Sequence, residues 1–139
     1  MKSFVVDANV AAKWFLPEIH DASALRLLDP ASQLHVPDLL FAEMGNLLWK
    51  RITRSELSLK QTRDILDAVR LMPLQIWPSP PLILMAFEIA YETRRTVYDS
   101  IYVALAISLK CHLVTADVKL YQALKEGPFG SSLIWIEEI

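Results

Sequence analysis

Residues 3–10 read SFVVDANV and place a short apolar run directly before an acidic residue. Phe4, Val5 and Val6 predict a β-strand that is apolar on both faces, as in a sheet covered on both sides. Asp7 ends the run, and an ionised carboxylate among apolar neighbours costs free energy unless a cation or hydrogen-bond donors meet it. The segment therefore predicts a buried strand of an α/β protein with a polar site at its end.

Three further acidic residues interrupt or end apolar stretches. They are Glu43 in LLFAEMGNLLW (39–49), Asp99 in TVYDSIYVALA (96–106) and Asp117 in HLVTADVKL (112–120). Four such carboxylates, from four separate segments, predict that they converge and share a cation. Oxygen ligands without histidine or cysteine at metal-ligand spacing favour Mg²⁺ or Mn²⁺ over zinc. Phosphodiester hydrolysis is the first chemistry that this set suggests.

Short apolar runs alternate with helical patterns along the rest of the chain. Strands are predicted at 4–6, 32–36, 74–77, 112–115 and 133–136. Helices are predicted at 8–16, 19–28, 38–54 (capped by Asp38), 58–71 (begun by a capping box of Ser58 and Gln61), up to about 94, 98–110 and 117–125. This alternation predicts an α/β three-layer sandwich, with a short, mostly parallel central sheet flanked by helices. No repeat or long linker divides the chain, so we expect one domain over residues 1–139.

The predicted topology places the acids at one edge of the sheet. Ligands of open α/β sheets bind beyond the carboxyl ends of the strands. Asp7 directly follows the first strand, and Asp117 follows the fourth by two residues. Asp99 begins a predicted helix and Glu43 lies within the first two turns of another, so both side chains can lean over the same edge.

Each acid also has a purely structural interpretation. Asp99 and Asp117 could each cap a helix, and Asp7 could end a turn after its strand. Glu43 could lie at a solvated helix edge, although helical spacing places it on the same face as neighbouring leucines.

Composition narrows the possible partners and compartment. The 139 residues carry a formal net charge of −2, so an RNA-binding role requires a local basic surface. Hydrophobic residues make up 53%, which predicts a partner or dimer surface on helices 38–54 and 58–71 and their neighbours. The single cysteine, Cys111, excludes an intrachain disulfide and favours the reducing cytoplasm. No signal peptide is recognised, and no apolar run approaches the roughly 20 residues that cross a bilayer, so no membrane association is expected.

Four blocks of the sequence resemble the PIN-domain ribonucleases, and especially the VapC toxins of bacterial and archaeal toxin–antitoxin pairs. The blocks are VDANV (6–10) with KWFLPE (13–18), PDLLFAE (37–43) with Asn46 and Leu47, YDSIYVALA (98–106), and LVTAD (113–117). They follow the family's order and spacing over nearly the whole chain, with every acidic position present.

The resemblance implies Mg²⁺- or Mn²⁺-dependent endoribonuclease activity on single-stranded or looped RNA. It also implies a homodimer and a small cognate antitoxin whose tail occupies the active-site groove. The candidate catalytic residues are the four acids. We assign Asp7 and Asp99 as the main metal ligands, while Glu43 and Asp117 act directly, through metal-bound water or on a second ion.

Further candidates surround the acids. Asn9 and Thr115 are candidates to orient the carboxylates, with a turn residue and a strand end as the alternatives. Two basic clusters are candidates for RNA contact, with solvated helix ends as the alternative. Their members are Lys50, Arg51, Arg54, Arg94 and Arg95.

Two other functional classes stay open from the sequence. One is a PIN-like nuclease that acts on other nucleic acid outside a toxin–antitoxin pair. The other is a non-catalytic RNA- or protein-binding module. A phosphatase of the haloacid-dehalogenase kind would carry Asp-x-Asp after the first strand, where this chain has Asp7-Ala8-Asn9.

Overall fold

The computed structural model describes residues 2–139, which contain a five-stranded sheet with the strand order β3-β2-β1-β4-β5. The strands are β1 (Lys2–Val6), β2 (Ser32–Pro37), β3 (Gln75–Trp77), β4 (His112–Thr115) and β5 (Leu133–Trp135). Every neighbouring pair is parallel. The predicted mostly parallel sheet is therefore confirmed, and it is parallel throughout.

Helices connect the strands on both sides of the sheet. They are α1 (Ala8–Ala12), α2 (Asp21–Leu25), α3 (Leu39–Thr53), α4 (Leu59–Arg70), α5 (Ile83–Thr93), α6 (Val97–Leu109) and α7 (Val118–Leu124). The first predicted helix is shorter than expected, because α1 ends at Ala12 and the chain continues to Leu16 as turns. None of the helices within residues 2–139 is long and apolar enough to cross a membrane.

Two capping predictions have opposite outcomes. The capping box that begins α4 is confirmed: the Gln61 N–H donates to Ser58 Oγ (3.1 Å) and the Ser58 N–H donates to Gln61 Oε1 (2.8 Å). The prediction that Asp38 caps α3 is wrong. Asp38 has a helical backbone (φ −59°, ψ −21°), whereas a residue that caps a helix with its side chain needs an extended backbone. The Asp38 carboxylate accepts from the Ser79 hydroxyl instead.

The core fixes the central strands and α6 in place. Val5, Val6 and Val114 are fully buried, as expected of strands covered on both faces. α6 is buried continuously over 100–106 and packs on β1, β2 and β4. Its first turn, which carries Asp99, is therefore held rigidly above the sheet.

The strand order reverses between β1 and β4. From β1 the chain moves outward to β2 and β3, and then returns to the other side of β1 through β4 and β5. In open α/β sheets such a switch point forms a crevice for ligands. Asp7 and Asp117 follow the two strands that flank it.

Candidate active site

All four predicted acids line one cleft of about 600 Å³ at the carboxyl edge of the sheet. Asp7 comes from the β1–α1 junction, Glu43 from α3, Asp99 from α6 and Asp117 from the β4–α7 junction. Four separate segments thus converge at the switch point, as the sequence predicted.

Asp7 is the most deeply buried of the four, with 8% of its surface exposed. The Val10 backbone N–H donates to its Oδ1 at 2.8 Å, so Asp7 also caps α1. Burial raises the pKa of Asp7 to about 7, against the Val10 hydrogen bond that lowers it, and the charges of the other three acids raise it further. One carboxylate therefore has both a structural role and an unfavourable charge.

Asp99 is not the N-cap of α6, so that structural alternative is wrong. Thr96 occupies the cap position, and its Oγ1 accepts from the Asp99 N–H at 3.0 Å. The Asp99 carboxylate instead lines the cleft, and Arg95 Nη2 lies 3.5 Å from its Oδ2. Burial raises the pKa of Asp99, while the positive charge of Arg95 opposes the increase.

Glu43 is held by a residue that the sequence analysis missed. The Tyr102 hydroxyl, on a side chain only 3% exposed, donates to Glu43 Oε1 at 2.6 Å. Burial raises the pKa of Glu43, against this hydrogen bond, and the negative charge of Asp99 adds to the increase. Burial also raises the pKa of Tyr102, which stays a neutral donor. Tyr102 follows Asp99 by three residues, which places both on one helix face, but this spacing does not indicate the contact with Glu43.

Asp117 does cap its helix, since the Leu120 N–H donates to its Oδ1 at 3.1 Å. Thr115 Oγ1 accepts from the Asp117 N–H at 3.0 Å, so Thr115 fixes the backbone of this acid. Asn9 is exposed and lines the cleft beside Asp7, and over residues 2–139 its side chain makes no hydrogen bond to a carboxylate.

The donor set fits a hard divalent cation. All four groups are carboxylates, and the mutual repulsion that raises the pKa of Asp7 is what a bound cation would relieve. Within residues 2–139, no three His, Cys, Asp or Glu side chains lie close enough together to hold a metal ion by themselves. Mg²⁺ usually keeps several water ligands and is held by one or two carboxylates, so Asp7 and Asp99 would suffice to hold it.

The basic candidates separate into two groups. Lys50, Arg51 and Arg54 line the same cleft on the α3 side. Arg51 is already paired, with Glu18 and with Glu56 (3.2 Å). The other two candidates, Arg94 and Arg95, lie outside the cleft lining at the α5–α6 corner. Arg95 contacts Asp99, whereas Arg94 has a left-handed backbone (φ 60°) and makes no such contact in the described part of the chain.

Comparison with known proteins agrees with this arrangement. Residues 4–125 match the family model of the PIN domain. Ribonuclease VapC3 of Pyrobaculum aerophilum is 33% identical over 118 residues, which cover 84% of this chain and 90% of the relative. Ribonuclease VapC1 of Mycobacterium tuberculosis is 35% identical over 124 residues, with coverages of 88% and 92%.

A solved structure shares the fold. The crystal structure of VapBC2 from Rickettsia felis, bound to a DNA fragment from their promoter, superposes with a TM-score of 0.68. The two sequences are 18% identical, and the superposition covers 96% of this chain and 98% of the Rickettsia felis chain. Because the family model spans most of the sequence and both VapC relatives match over nearly their whole length, this chain belongs to the PIN-domain family, with the VapC ribonucleases as its relatives.

Proposed function

We propose that this chain is a divalent-metal-dependent endoribonuclease that cleaves phosphodiester bonds of RNA as the toxin of a toxin–antitoxin pair. The observation that carries the proposal is the convergence of four carboxylates at the sheet's switch point, in a chain related to VapC ribonucleases. Phosphodiester substrates are anionic, so this acidic cleft requires a bound cation before it can accept such a substrate.

The four acids have distinct roles in this proposal. Asp7 and Asp99 are the main ligands of Mg²⁺ or Mn²⁺, and a bound ion would polarise the phosphoryl oxygen and acidify a water molecule. Asp7 is oriented by the Val10 amide, which occupies one of its oxygens and leaves the other for the ion. Glu43, aligned by Tyr102, and Asp117, aligned by its helix cap, complete the site. Rigid alignment of this kind keeps the site ready for its substrate.

RNA contacts are proposed along the α3 wall of the cleft. Lys50 and Arg54 are exposed and follow Glu43 by seven and eleven residues, which places them on its helix face. At about 1.5 Å per residue they lie roughly 10 and 16 Å from Glu43 along the helix. They can therefore bind backbone phosphates beyond the one that is cleaved. Arg51 supports this wall through Glu18 and Glu56.

A cognate antitoxin is the proposed protein partner. The VapBC2 structure is that of a complex, and this chain shares the fold of the chain that it matches in that complex. We place the antitoxin's tail in the acidic cleft. The cytoplasm is the proposed compartment, because the chain has a single cysteine, Cys111.

A homodimer is the proposed state of the toxin itself. α5 exposes an apolar stripe in which Leu84 is 77% exposed, Phe87 61% and Tyr91 82%. These residues follow the i, i+3, i+7 spacing of one helix face. A contiguous exposed apolar face of this kind marks an interaction surface.

Phe87→Asp is expected to shift the protein toward the monomer, because it places a charge in the apolar stripe. Light scattering at micromolar concentration measures the change in mass. Gln122→Asp makes an equal charge change at an exposed site on α7, and this control variant should have the same mass in solution as the wild type. A wild-type protein that is monomeric throughout the concentration range would contradict the dimer.

The function is tested with purified protein on looped RNA and on duplex DNA. We expect RNA cleavage with millimolar Mn²⁺ or Mg²⁺, and none in a chelator. Cleavage of DNA alone would favour a nuclease outside a toxin–antitoxin pair, and binding without cleavage would favour a non-catalytic module. Activity that persists at full rate in the chelator would exclude the metal dependence.

A further inference from the structure

Arg95 lies beside the acid cluster, at the corner between α5 and α6. Its Nη2 is 3.5 Å from Asp99 Oδ2, four residues further along the chain. Over residues 2–139 this is the one ion pair within 4 Å that involves any of the four acids. Of the basic residues that line the cleft, Arg51 is paired with Glu18 and Glu56, and Lys50 and Arg54 make no ion pair with the four acids in the described part of the chain.

The Arg95 side chain is held in place in spite of an unsatisfied donor. Its Nε is buried and has no hydrogen-bond partner in the described part of the chain. A buried donor without a partner costs free energy, so another interaction must favour this position. Attraction to the Asp99 carboxylate, 3.5 Å from its Nη2, supplies it. The contact is therefore more than an incidental surface pair.

We propose that Arg95 is a positioning residue that acts as an internal counter-ion of Asp99 and competes with the divalent cation for that carboxylate. The inference rests on the proposed function, since it takes Asp99 as a ligand of the ion. An ion that binds Asp99 must displace or weaken the contact with Arg95, and two positive charges at one carboxylate repel each other. By reciprocity, Arg95 weakens the binding of the divalent cation by as much as the cation weakens the contact between Arg95 and Asp99.

The sign of the effect distinguishes this role from a simple supporting one. Loss of a residue that only supports the site should weaken ion binding or leave it unchanged. Loss of a competitor should tighten it. A partly exposed ion pair corresponds to an effect of about two- to fivefold in the dissociation constant.

Arg95→Gln tests the proposal by calorimetric titration with Mn²⁺ alone, without RNA. Arg94→Gln is the matched control, because it removes an equal charge from an adjacent exposed residue that does not contact Asp99. We expect Arg95→Gln to bind Mn²⁺ about two- to fivefold more tightly than Arg94→Gln does. Arg95→Met, which keeps the aliphatic stem, should behave in the same way, whereas Arg95→Lys should stay near the wild type.

The outcomes separate this inference from the proposed function. Equal or weaker Mn²⁺ binding by both neutral Arg95 variants, relative to Arg94→Gln, would overturn the competition while the metal site stands. A wild-type protein that takes up no Mn²⁺ would overturn the metal site and the competition together. Circular dichroism of each variant confirms the fold, and the two neutral variants ensure that poor folding of one does not decide the result.

Discussion

Asp7→Asn should reduce RNA cleavage by at least about two orders of magnitude and leave the fold intact. The asparagine side chain retains an oxygen that can accept from the Val10 N–H, so the α1 cap is preserved. It removes the negative charge that the ion requires, and loss of an electrostatic contribution of this kind commonly costs 10²–10³ in rate. Cleavage of RNA in Mn²⁺ measures the effect, and toxicity on expression in a bacterial host should disappear with it.

Two neutralised aspartates away from the cleft serve as controls. Asp21→Asn changes the first turn of α2, and Asp64→Asn breaks an exposed contact with Lys60 at 3.0 Å. Exposed pairs contribute little to stability, so both variants should cleave at the wild-type rate. Wild-type cleavage by Asp7→Asn, after contaminating host ribonuclease has been excluded, would overturn the mechanism.

The acids of the site could be predicted because each one stands out against an apolar background. Asp7 is conspicuous after the apolar residues Phe4–Val6, and parallel strands bring their ends to one edge of the sheet. The alternation of strands and helices predicts the sheet in the same way. It does not predict the strand order, which depends on which strand the chain returns to after β3.

The partners of the acids could not be predicted, because they depend on packing between distant segments. Tyr102 on α6 reaches Glu43 on α3, although 59 residues separate the two along the chain. Arg94 and Arg95 are neighbours with the same charge, yet a left-handed corner directs only one of them to Asp99. Asp38 fails as a cap because its backbone is helical and its carboxylate accepts from Ser79, 41 residues further along the chain.

The site places charge where the fold would be more stable without it. Burial and mutual repulsion raise the pKa values of Asp7, Glu43 and Asp99 together. Each ionised carboxylate therefore destabilises the native state, and a bound cation would offset that cost. Function and stability are opposed here, and the opposition can be measured.

Without divalent ions, the protein should lose stability as the pH rises from about 4 to about 7. Asp7 has a pKa of about 7 in the native state, against 3.8 for the ordinary group. Between those values the unfolded chain has released the proton that the native state still holds, so the free energy of unfolding falls as pH increases. Below this range both states are protonated, and above it both are ionised, so the effect of Asp7 is constant at either side. Glu43 and Asp99 shift in the same direction.

The predicted loss is large enough to appear in a melting experiment. A difference of about three pKa units corresponds to on the order of 4 kcal/mol, or roughly 14 °C in Tm for a domain of this size. Asp7→Asn removes the titrating group, so in a chelator at pH 7 it should melt at a higher temperature than the wild type.

Millimolar Mn²⁺ should reverse that order, because the ion stabilises the wild type and the variant has lost a ligand. Asp99→Asn should likewise respond less to Mn²⁺ than the wild type does. Sodium chloride at matched ionic strength is the control and should not reproduce the Mn²⁺ effect. An unchanged wild-type Tm in Mn²⁺, or a variant that melts below the wild type in the chelator, would show that these carboxylates do not share a cation site.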